Sequence, residues 1–165
     1  MYIINSKRQI ERIKDMVPVR KNMKTYEVYY HDPATGELWK SFFPRGFNGR
    51  HGTKLLRLEP MPDNIELQLE ICLNSKDDSD AIGLGIEFSV KPDCWLTILG
   101  LLNKNRKNYL RSNLNTFLKH LGVLDPEKTL AEININPEEY ELDEAKLLKI
   151  RKMAKQLKLK RLLRL

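Results

Sequence analysis

Apolar residues along the chain first recur at helical spacing, then in strand-like runs, then at helical spacing again. Ser6 and Gln9 have the separation of a capping box, and Ile10, Ile13 and Met16 or Val17 mark one apolar face. This predicts a first helix that ends at Pro18. From Tyr26 the pattern changes to Tyr26-Glu27-Val28-Tyr29-Tyr30, rich in aromatic and β-branched residues, which predicts a strand. Asp32-Pro33-Ala34-Thr35-Gly36 reads as a turn, because proline presets φ near its start and glycine accepts positive φ near its end. Leu38 to Phe43 should therefore fold back as a hairpin partner, with a third strand at Lys54 to Leu58 after the glycine-rich loop of residues 45–52.

Beyond residue 62 the period is helical. Asp63 and Glu66 repeat the capping-box spacing ahead of Ile65, Leu69, Cys72 and Leu73. Asp80 can cap a helix over residues 81–88, where Gly83 and Gly85 would allow close packing; a strand is the rival reading. Pro92-Asp93 opens a third helix with Trp95, Leu96, Leu99 and Leu102 on one side. Leu110, Leu114, Phe117, Leu118 and Leu121 define the clearest helix, with Gly122 at the left-handed position past its end. Residues 124–142 are acidic and punctuated by prolines, and read as a loop. A last helix then starts at Asp143-Glu144, with Leu147, Ile150, Ala154 and Leu157 as its docking stripe. The expected fold is α+β: one domain over residues 1–165, in which an N-terminal helix and small antiparallel sheet (1–60) pack on a helical region (61–165). Pro62-Asp63 and Pro92-Asp93 would open stacked hairpins of the helical-repeat kind.

Composition fits a globular chain, with 41% hydrophobic and 31% charged residues. No window has the length and apolarity of a membrane span, and the N-terminus lacks the pattern of a secretory signal, so a cytoplasmic protein without membrane contact is expected. The net charge of +7 is local: residues 143–165 hold nine of the 29 Lys and Arg and two of the 22 Asp and Glu, so the remaining residues are balanced. The basic character belongs to one terminal helix, not to a face spread over the body.

Candidate chemistry is sparse. Cys72 and Cys94 lie in hydrophobic runs without metal or redox spacing. His31 and His51 flank the hairpin without a third ligand at metal spacing, His120 falls near the end of the clearest helix in a partly buried or dipole-paired role, and the glycines of residues 46–52 are not closed by the Lys-Ser or Lys-Thr of a phosphate loop. No catalytic residue, cofactor site or metal site is assigned. An enzyme using His51 with Asp32 is the weakest reading, for want of a supporting third group. Aromatic residues crowd the hairpin and its loop beside two arginines, the palette of binding hot spots. Trp39, Phe42, Arg45, Phe47, Arg50 and His51 are therefore the candidate partner-binding residues, with Asp77 and Asp78 as an acidic patch for a basic partner.

Tyr30-His31-Asp32-Pro33-Ala34-Thr35-Gly36-Glu37-Leu38-Trp39, then Phe43-Pro44, His51-Gly52 and Leu55 to Pro60, resemble a segment of bacterial immunity proteins from polymorphic toxin systems. That pattern runs Asp-Pro-x-x-Gly-x-x-Trp, an aromatic-Pro pair, a His-Gly stretch and a leucine-containing strand. The resemblance covers about a fifth of the chain and implies a non-catalytic protein that neutralises a cognate toxin by occluding its active site. The alternative is a nucleic-acid-binding module using the basic C-terminal helix and the aromatic hairpin.

Overall fold

The computed structural model describes residues 1–45 and 52–162 and is α+β, with a five-stranded antiparallel sheet and seven α-helices among the described residues. The chain forms two compact units, Met1–Asp63 and Asn64–Leu165.

In the first unit, strand β1 (Tyr2–Ile3) leads into helix α1 (Ser6–Ile13), followed by β2 (Val17–Asn22), β3 (Glu27–His31), β4 (Leu38–Phe42) and β5 (Leu55–Glu59). The sheet order is β1-β5-β4-β3-β2, which leaves β2 on an edge. The predicted hairpin and third strand are present, and two strands are added to them. The cap of α1 is Asn5, whose side chain accepts from the amides of Lys7 and Arg8, one residue before the expected Ser6. Gln9 instead turns inward and donates to the carbonyls of Ile3 and Lys54 at 2.7 and 2.9 Å, tying the helix to β1 and to the chain entering its neighbour β5. Met16, Trp39 and Leu56 form a buried cluster with Ile3, Ile13, Tyr30 and Leu58 against it, whereas Ile10 is exposed. Pro18 does not mark a helix end. The helix stops at Ile13, and Pro18 lies within edge strand β2, where a missing N–H is tolerated.

The second unit contains α2 (Ile65–Leu73), α3 (Asp78–Ser89), α4 (Trp95–Asn105), α5 (Arg111–Leu121), α6 (Pro126–Glu132) and α7 (Glu144–Leu162). Two caps differ from those expected: Asn64 in place of Asp63, and Asp77 in place of Asp80, which is buried in the first turn of α3. Residues 81–88 are helical, and Gly85 is where α3 approaches α5. Gly122 has φ +80° and closes α5 as expected, while Leu110 precedes that helix and is exposed. The segment expected to be a loop contains α6, opened by Pro126 at its first turn. Thr129 of α6 donates back to the carbonyl of Gly122 at 2.8 Å. Leu147, Ile150, Ala154 and Leu157 of α7 are buried, so that helix docks by its predicted stripe. The core is completed by Leu69, Leu84, Trp95, Ile98, Leu114 and Phe117, and the Trp95 indole N–H is satisfied by the Phe88 carbonyl at 2.9 Å.

Candidate binding surface

The Asp32–Gly36 turn has a structural task. Asp32 accepts from the amides of Ala34 and Thr35 through one carboxylate oxygen and from Arg12 Nη1, at 2.8 Å, through the other. Arg12 also bonds Glu37, which accepts from the Trp39 indole N–H at 3.2 Å, and its guanidinium lies 5.0 Å from the Trp39 ring. Gly36, at φ +74°, lets its own N–H reach the Asp32 carbonyl at 2.8 Å. The Arg12 hydrogen bond, followed by that of the Ala34 amide, lowers the Asp32 carboxyl to about 2. The residues of the Asp-Pro-x-x-Gly-x-x-Trp segment thus clasp a turn to a helix. A carboxylate held ionised this way is poorly suited to donate a proton at neutral pH.

On the opposite sheet face, Arg20, Tyr29, Lys40 and Arg57 stand directly across from one another on four neighbouring strands. Arg20 stacks 3.9 Å from the Tyr29 ring centre, Lys40 lies between Tyr29 and Phe42, and Arg57 is 5.2 Å from Phe42. Lys40 is neutralised by Glu27 at 2.7 Å and Arg57 by Glu59 at 2.6 Å. Among the described residues no carboxylate pairs with Arg20, which sits at the sheet edge with Tyr29 as its partner.

Among the described residues of the first unit, that edge is the most apolar exposed segment. Val17, Val19, Met23 and Tyr26 are 53%, 56%, 74% and 45% exposed. The hairpin joining β2 to β3 is held by the Asn22 side chain, which accepts from the amides of Lys24 and Thr25, and Tyr26 takes a left-handed φ of 56°. Arg20, Lys21, Met23, Lys24, Glu27 and Tyr29 line an open depression of about 540 Å³ on this hairpin. In the second unit, Lys149, Lys152, Lys155 and Lys158 of α7 are exposed and make no ion pair among the described residues, whereas Arg151 of the same helix is bridged to Asp125 and Glu127.

The residues singled out from the sequence do not form this surface. Trp39 and Phe42 are 7% and 6% exposed and lie on opposite faces of β4, so they are packing residues and cannot share one patch. Arg45 is exposed just past β4. Phe47, Arg50 and His51 lie outside the described residues. Asp77 is engaged as the cap of α3, accepting from the Ser79 amide at 2.9 Å, and Asp78 is exposed beside it. No family, curated protein or solved structure matches the chain. Among the described residues no group of three His, Cys, Asp or Glu is placed to hold a metal ion, and no helix is long and apolar enough to cross a membrane. The edge hairpin is hidden in the sequence because Pro18 also suits a helix stop. Its signal lay in the alternation of Val17 and Val19 ahead of a short polar turn and the Tyr26 strand.

Proposed function

We propose that the chain is a non-catalytic binding protein, an immunity protein that neutralises a cognate bacterial toxin by occluding its active site. The observation that carries the binding reading is the β2–β3 hairpin, which leaves four large apolar side chains exposed within ten residues, interleaved with Arg20, Lys21 and Lys24. Scattered exposed apolar residues are ordinary on a protein surface, but four along one ten-residue hairpin, mixed with Arg and Tyr, have the composition of an interface. The toxin identity comes from the resemblance of residues 30–60 to immunity proteins. In this chain the Asp, Gly and Trp of that segment have connected structural roles in the clasped turn. The test is to search the genes flanking this one for a toxin domain and co-express it with this chain: growth is restored and a stoichiometric complex is isolated. Continued toxicity without a complex rejects the reading.

A second reading is favoured by the four exposed lysines of α7, each without an ion pair among the described residues. Such a row suits a phosphate backbone, and its binding would weaken steeply with added salt. Replacing all four by glutamine should abolish retention on nucleic acid if this reading is right, and leave toxin protection intact if the first is.

A further inference from the structure

We infer that the β2–β3 hairpin docks its partner through side chains, not by strand addition, and that the partner surface it fits is an apolar patch rimmed by Asp and Glu carboxylates. This deepens the binding reading above and rests on it.

An exposed edge invites strand addition, because unpaired N–H and C=O groups template another strand. Here two features oppose it. Pro18 has no N–H to offer, and the pairing register slips between Pro18 and Arg20, so β2 bends in its middle. The regular stretch beyond the slip is Arg20 to Asn22, shorter than the roughly five or six residues of an ordinary strand. What remains for recognition is the side chains of Val17, Val19, Met23 and Tyr26 and the cations among them.

The charge of the segment identifies the partner. Arg20, Lys21 and Lys24 are exposed and unpaired with any described carboxylate, and Glu27, the nearest acid in the hairpin, is committed to Lys40. A second copy of this chain meeting the edge across a two-fold axis would set like charges against each other, so self-association is disfavoured. A single nucleic-acid strand is also a poor fit. The Tyr29 ring is already covered by Arg20, which leaves Tyr26 as a single exposed ring where a strand needs several to stack on, and Val17, Val19 and Met23 offer nothing to phosphate. Arg20 is held against Tyr29 before binding, so it loses little freedom on docking and is positioned as the anchor.

The full chain, labelled with ¹⁵N, should be titrated with two synthetic peptides, one alternating Glu with Leu and one alternating Lys with Leu. The Glu–Leu peptide is expected to shift amides across residues 17–26 and to saturate, and the Lys–Leu peptide is not. Arg20→Glu combined with Met23→Ser should weaken the Glu–Leu peptide by about tenfold or more, as loss of a central anchor does. Both positions are exposed, and a Lys21→Glu, Lys24→Glu chain is a second variant with the same expectation. Shifts centred elsewhere, no shifts, or equal response to both peptides would overturn the inference. Toxin protection separates the two levels. If the Arg20→Glu, Met23→Ser chain still protects cells as well as wild type, the hairpin is not the docking site although the immunity reading survives. If wild type fails to protect while the Glu–Leu peptide still binds the hairpin, the immunity reading falls and the surface stands.

Discussion

Alanine at Gly85 and alanine at Gly100 are the same chemical change on two helices of one unit, and they are expected to move stability in opposite directions. In a helix interior alanine is favoured over glycine by about 1 kcal/mol. At Gly100, in α4, an added methyl meets no atom within 4 Å, so Gly100→Ala should realise most of that gain. At Gly85, in α3, the methyl would stand 2.9 Å from His120 Cβ, 3.0 Å from the Phe117 carbonyl oxygen and 3.3 Å from the Leu121 nitrogen of α5. Two of those three atoms are backbone, so relief requires the helices to move apart. Overpacking of this kind costs roughly 1–3 kcal/mol, and with contacts this short the upper half of that range applies. Subtracting the propensity gain leaves a net loss of about 1–2 kcal/mol for Gly85→Ala. Urea titration followed by fluorescence of Trp95, buried in the same unit, measures both variants, and amide exchange over α3 and α5 locates the change. A Gly85→Ala midpoint at or above wild type, or a Gly100→Ala midpoint below it, would refute the account of how α3 and α5 meet.

Acid should weaken the first unit through Asp32. Its carboxyl is lowered from 3.8 to about 2 in the fold, so its contribution is complete above the unfolded value and is lost as pH falls from near 4 towards 2. Asp32→Asn should remove that part of the acid dependence, read from Trp39 fluorescence during unfolding at successive pH values. Asp77→Ala should cost the second unit about 1 kcal/mol through loss of the α3 cap, whereas Asp78→Ala, at an exposed position, should stay within roughly 0.5 kcal/mol; denaturant midpoints decide. Ile150→Ala, at a fully buried position, should cost roughly 2–5 kcal/mol and expose α7 to protease, while Lys152→Ala should leave the digestion pattern unchanged.

What the sequence determined by itself was local. The Asp32-to-Gly36 turn, the α5 stripe ending at Gly122, and the Leu147, Ile150, Ala154 and Leu157 face of α7 are each specified by residues within a turn or two of one another, through φ preference or 3.6-residue periodicity. Capping was legible only to within a few residues. Asn5, Asn64 and Asp77 win because of where the chain leaves the extended region, and a neighbouring Ser6, Asp63 or Asp80 has the same chemistry. The strand β2 was decided by tertiary pairing. Pro18 is compatible with both a helix end and an edge strand, and only β3 beside it selects the second. The same holds for the candidate binding surface. Alternation says that about half of an aromatic strand is buried, but it does not say that Trp39 and Phe42 are both inside, since that depends on Met16 and Leu56 gathering around Trp39 and on Lys40 and Arg57 lying over Phe42. Nor does local sequence say that Val17, Val19, Met23 and Tyr26 stay outside. Val17 and Val19 lie on the strand that ends the sheet and Met23 and Tyr26 in the turn beyond it, and strand order is set by long-range pairing that local sequence does not encode.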